Sequence, residues 1–211
     1  MRALFVLWLV VGSGCDLVFL TPRDGPIDGP PPDMAPDTNG QARISILASD
    51  DDGLENPDGS MLVAYAYLSI YTPNHWGALR FTLPQAIVKG TTITVAHLEA
   101  VIDSTMEDAP ALELTTEASA TPSPLLSTSA NISQRVKGSE RVVWMGTELG
   151  EGLLQSPSLV SLITERTAAP DWTPGASVLL ILDGQQDSLF ELRQFDHVDT
   201  IAPTLVLEWT N

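Results

Sequence analysis

Residues 77–102, GALRFTLPQAIVKGTTITVAHLEAVI, decide the fold. Ala78, Arg80 and Thr82 alternate with Leu79, Phe81 and Leu83, the two-residue period of a strand with one buried face. Pro84 stops that strand, and Gly90 supplies a residue able to turn the chain at positive φ. The β-branched run TTITV follows. From Ala96 onward the inward set Ala96, Leu98, Ala100 and Ile102 alternates with His97, Glu99 and Val101. Two such strands, each with one largely polar side, are the habit of an antiparallel sheet with a wet face.

Similar signals lie on both sides. ARISILA at 42–48 reads as an edge strand that opens the folded body near Gln41. MLVAYAYLSIY at 61–71 reads as one long strand with tyrosines along a face. ALELTTEAS at 111–119 alternates again, while 121–140 form a long polar connection with little periodicity before the short apolar strand RVVWMG. Ser156 as N-cap, Pro157 in the first turn, and Leu159, Leu162, Ile163 and Arg166 at helical spacing predict one short helix over 157–169, ended by Pro170. ASVLLILDG at 176–184 is apolar enough to be a central strand, LFELRQFD is another, and APTLVLEW closes the chain with Leu205, Leu207 and Trp209 on one side. About eight or nine half-apolar strands are most economically buried as two packed sheets, so the expected fold is all-β, an antiparallel jelly-roll sandwich over 41–211.

The formal charge of the 211-residue chain is −17, and residues 1–40 hold two Arg against five Asp, leaving −14 for the rest. Such a surface excludes nucleic acid, whose phosphates need a basic face. The single cysteine, Cys15, has no partner for an internal disulfide, so its position carries the meaning. Arg2, the apolar run 3–11, and the small residues Gly12, Ser13 and Gly14 lead directly into it. The apolar run is about half the ~20 residues a membrane-spanning helix needs. This layout resembles a bacterial lipoprotein signal, with Gly12 standing where leucine is usual. The resemblance implies removal of residues 1–14, a lipid on Cys15 that tethers the protein to a membrane, and placement in the cell envelope, at the outer membrane or cell surface. Residues 15–40, rich in Pro, Gly and Asp, cannot build a core and read as an extended tether.

Two groups of residues are candidates for binding. Asp50, Asp51, Asp52, Glu55 and Asp58 crowd one loop with oxygen ligands of the kind Ca²⁺ takes, although the spacing is not that of an EF-hand. An acidic surface turn is the simpler reading of the same residues. Tyr65, Tyr67, Trp76 and Trp144 are aromatic residues that can stack on sugar rings if the sheets expose them together, or pack across strands if they do not. His75, His97 and His197 read as isolated surface histidines. Neither a metalloprotease HExxH, a CxxC pair, a GxSxG elbow nor a phosphate-binding glycine loop occurs, so the chain reads as a non-enzyme.

Leu79 to Phe81, Gly90 to Ile93 with Ala96 and Leu98, Trp172 with Gly175, and Ala202 to Leu205 stand in an order that resembles bacterial secreted domains labelled DNRLRE-like. Trp209 replaces the usual terminal tyrosine. The resemblance implies a jelly roll similar to carbohydrate-binding modules, with polysaccharide as a partner, and carries no catalytic residue. A structural or adhesive module for another envelope protein, and a hydrolase or lyase on the same scaffold, are the rival readings.

Overall fold

The computed structural model describes residues 39–70, 74–105, 111–145, 152–185, 190–197 and 202–211. The leader, Cys15 and the tether up to residue 38 lie outside them. One antiparallel sheet runs in the order β1 (Gly40–Ser45), β12 (Thr204–Thr210), β6 (Thr92–Thr105), β11 (Phe190–Arg193) and β4 (Tyr67–Ile70), with β9 (Gly152–Gln155) also pairing β6. The other runs β3 (Met61–Val63), β2 (Asp52–Glu55), β5 (Trp76–Thr82), β10 (Ser177–Gly184), β7 (Ala111–Thr116) and β8 (Val142–Met145). The chain passes repeatedly from one sheet to the other, staying within a sheet only at β2–β3, β7–β8 and β11–β12. The architecture is a jelly-roll-type sandwich with a single short helix, α1 (Val160–Thr167), among the described residues.

The two strands of the deciding run occupy different sheets. β5 pairs β2 and β10, whereas β6 pairs β12, β9 and β11. Their inward residues, Leu79 and Phe81 against Ala96, Leu98 and Ala100, meet in one core with Leu180, Leu182, Leu205, Leu207 and Trp209. Fully burying side chains of this size stabilises by roughly 1.5–3 kcal/mol each. Between β5 and β6, Gly90 adopts φ 94°, and Ile87 is buried while its carbonyl accepts the Trp172 indole N–H at 3.0 Å. β10 is central and buried throughout its apolar run, and β1 is an edge strand, as their patterns predict.

Four expectations change. The run 61–71 is not one strand: β3 and β4 belong to opposite sheets, and the chain crosses between them at Ala64, whose φ is 61°. The acidic loop contains β2, and β9 is a further unexpected strand, so with the split at Ala64 the strands number twelve among the described residues. The helix begins three residues later than expected, with Leu159 at its N-cap and no side-chain cap. Ser156 instead extends the pairing of β9, its N–H donating to the Leu98 carbonyl and its Oγ accepting the Leu98 N–H at 2.9 Å. That strand-like bond holds Ser156 out of a capping geometry.

The fourth change concerns 121–140. Leu125 and Ile132 from this polar connection pack with Ala78, Leu179 and Ile181 on the outer side of the second sheet. β5 and β10 are therefore buried on both faces, and Ala78 does not look outward to water. The connection is a strap held by polar groups. Arg135 donates to Glu117 at 2.6 Å and to the Ser123, Pro124 and Asn131 carbonyls, and Arg80 reaches the Pro122 carbonyl.

Candidate functional site

The alternation of β2 decides where its acids go. Leu54 faces the core, and so does Asp52 two residues before it; Gly53 and Glu55 face the strap. Glu55 is 2% exposed, and its Oε2 accepts the backbone N–H groups of Ile132 and Ser133 at 2.7 and 2.9 Å. One carboxylate thereby satisfies two strap amides that the sheet cannot reach. Beyond Glu55 the chain turns through Asn56–Gly59. Gly59, at φ 81°, donates to the Asn56 carbonyl, and its own carbonyl accepts the Ala130 N–H at 2.9 Å. A Cβ at Gly59 would lie 2.8 Å from Ser129 Oγ, so the hairpin tip and the strap touch closely.

Between hairpin and strap lies a cleft of about 420 Å³ lined by Glu55, Asn56, Asp58, Asn74, Trp76 and Ser133, with Pro57 and Gly59 of the hairpin tip and Ser129 and Ala130 of the strap. Trp76 is placed by β5, opposite Glu55 on β2 and Asp183 on β10. The Lys137 ammonium sits 3.5 Å from the centroid of its ring and 3.5 Å from Asp183, outside the cleft lining. A cation over an indole and a paired carboxylate steady that ring. Burial pushes the Lys137 pKa down, against the pull of Asp183. Asp58 Oδ1 accepts the Ser60 N–H at 2.9 Å, and hydrogen bonds from Ser60 hold its carboxyl below the ordinary range.

Of the four aromatic candidates, only Trp76 borders this cleft. Tyr65 is exposed in the crossover between sheets. Tyr67 is on β4, its Oη 2.9 Å from Nε2 of His197. His197 is buried, which corrects its reading as a surface histidine. Trp144 is 0% exposed and belongs to the core, so it offers no surface for a sugar.

The five acids are dispersed. Asp51 pairs with Arg80, Asp50 is exposed and its carbonyl accepts the Leu125 N–H, Asp58 sits at the hairpin tip, and Asp52 and Glu55 leave β2 on opposite faces. An odd separation on a strand cannot put both carboxylates on one ion. Among the described residues no group of three or more His, Cys, Asp or Glu is placed to hold a metal ion.

A second polar cluster was not legible beforehand. Asp52 is fully buried, and its Oδ2 accepts the Phe195 N–H from the opposite sheet's side at 2.7 Å. Burial pushes its pKa up to about 7; the Phe195 bond opposes this, and the charges of Asp196 and Asp51 add to it. Asp196 accepts from Ser49 at 2.8 Å. Asp52 Oδ1, Asp196 Oδ2 and both amide atoms of the fully buried Gln194 have no hydrogen-bond partner among the described residues.

What sequence reading missed in the cleft is most of its polar side: Asn74 and the strap residues Ser129 and Ser133. Asn-Pro-Asp-Gly at 56–59 carries a turn signature that marks a hairpin tip. Nothing local announces that the strap closes over it.

No family model and no curated protein matches the chain, so the DNRLRE-like resemblance rests on the motifs alone. Among solved structures, the chain is similar to a non-crystalline cellulose specific carbohydrate-binding module (CBM28), with 12% identity, a TM-score of 0.36, and coverage of 80% of this chain and 87% of that one. A superposition that loose leaves the fold resting on the strand pairing itself.

Proposed function

We propose that this is a lipid-anchored envelope protein whose sandwich is a non-catalytic carbohydrate-binding module, with the Trp76 cleft as its site. One observation carries the reading: an indole shares a single cleft with two asparagine amides, serine hydroxyls and a rim carboxylate. A sugar presents an apolar ring face to stack and hydroxyls to hydrogen-bond, and this lining offers partners for both. The non-catalytic part is supported by Glu55, whose carboxylate is committed to two backbone amides rather than poised for proton transfer.

Titrating the purified chain against soluble and insoluble polysaccharides tests the site. Binding to one glycan class, weakened by Trp76→Ala by roughly 10-fold or more (one stacked aromatic, ~1.5 kcal/mol or more), is the expected result. Equal binding by the variant sinks the cleft assignment. The anchor rests on the leader pattern alone; in cells fed labelled fatty acid, label should enter the protein and be lost in Cys15→Ser. Label retained by that variant refutes it.

A rival reading, a docking module for another envelope protein, is favoured by one feature. Val143 and Met145, each 47% exposed, lie together on the outer side of the edge strand β8.

A further inference from the structure

The lining of the cleft also bears on which glycans it admits. Its charged members are both acids, Glu55 and Asp58. Glu55 is buried, and its charge is partly answered by two amide dipoles. Asp58 is exposed at the rim, with one oxygen taken by Ser60. The basic groups over Trp76 and on the strap are already matched: Lys137 by Asp183 at 3.5 Å and Arg135 by Glu117 at 2.6 Å. No lysine or arginine lines the cleft to pair with a ligand carboxylate. Residues 41–211 carry −14 of the chain's −17, so the long-range field of the folded body has the same sign as the rim.

Resting on the carbohydrate reading above, we propose that the cleft discriminates by charge, taking amine-bearing glycans ahead of neutral ones and rejecting polyuronates. The stacking surface of Trp76 and the amides of Asn56 and Asn74 serve any sugar ring. Asp58 then acts as the specificity-determining group, because a protonated amine on the bound sugar gains a charge-assisted partner there and a uronate carboxylate meets repulsion. Hydrogen bonds from Ser60 keep Asp58 ionised in mildly acidic solution, where such amines are protonated.

The test compares three probes on the purified full chain by calorimetric titration at low salt and about pH 5, where a sugar amine is charged and Asp58 is not protonated. The probes are a glucosamine oligomer, its N-acetylated counterpart of equal length, and a uronate oligomer. The first two differ in charge while sharing a backbone. The expected result is tightest binding of the glucosamine oligomer, with the gap to the acetylated one closing by roughly threefold in Asp58→Asn, the scale of one exposed charge pair. Glu208→Gln, which removes an exposed charge on β12 of the other sheet, should leave the gap unchanged.

If Glu208→Gln closes the gap as much as Asp58→Asn, attraction is a property of the whole acidic surface and the inference fails. If the uronate binds as well as the others, and Trp76→Ala abolishes all three, the inference fails while the carbohydrate reading stands. If neither these oligomers nor any polysaccharide of the wider panel binds, both fall together.

Discussion

Asp52→Asn should make the protein more stable at about pH 8, by something on the order of 3 kcal/mol, and should leave it within about 1 kcal/mol of the native chain near pH 5. The cause is the carboxyl on β2 that the sandwich buries. Its pKa rises from an ordinary 3.8 to about 7, because removal from water penalises the charged form. The folded protein therefore holds this proton at pH values where the unfolded chain has released it. Between the two pKa values stability falls as pH rises, and above about 7 the full penalty is present. Asparagine keeps an acceptor for the Phe195 N–H and never ionises.

Other carboxyls set the acid side of the profile. Glu99, held down by Arg43, and Glu165, held down by Ser139 and the Glu140 amide against its own burial, contribute stability that is lost as pH drops through their lowered pKa values. Native stability should thus peak in mildly acidic solution. Urea unfolding of both proteins across the range measures this directly. A variant less stable than the native chain at high pH would mean that the Asp52 charge is compensated by something outside the described residues.

The second large effect belongs to Trp144. With no exposed surface and a place in the main core, its replacement by alanine should cost about 3–5 kcal/mol, the range for deleting a buried aromatic. Its strand makes the loss harder to absorb, since β8 lies at the sheet edge and pairs only β7 among the described strands. On the carbohydrate reading proposed above, glycan affinity of whatever fraction remains folded should be unchanged, which separates Trp144 from Trp76. Denaturant midpoints read the first quantity, and titration of the folded fraction reads the second. A Trp144→Ala protein that is as stable as the native one but has lost binding would restore this residue to the site and overturn its burial.

These two residues show how far local pattern reaches. Asp52 reads in sequence as one of several acids in a surface loop, and Trp144 as an aromatic on a short strand. Both turn out to be interior, for a common reason. A residue's burial on a strand depends on which distant segment covers that face, and neighbouring residues carry no trace of that segment.

The chain by itself determined whatever depends on short-range geometry. The two-residue alternation of β5, β6 and β12 sets their inward sides, Pro84 and Gly90 set the break between strands, and the unbroken apolar run of β10 sets its central place. Alternation follows from the pleat, so four or five residues are enough to express it. Other features were decided only by tertiary structure. Glu55 meets the amides of Ile132 and Ser133 across 77 and 78 residues of sequence, and Asp52 meets Phe195 across 143. The switch of sheets at Ala64 separates Tyr65 and Tyr67 from Trp76, and the strap that turns an outer sheet face into a second core also builds one wall of the cleft. Each of these is a choice among long-range pairings whose loop-closure costs grow only slowly with separation, so the buried surface and satisfied hydrogen bonds of the finished fold select between them.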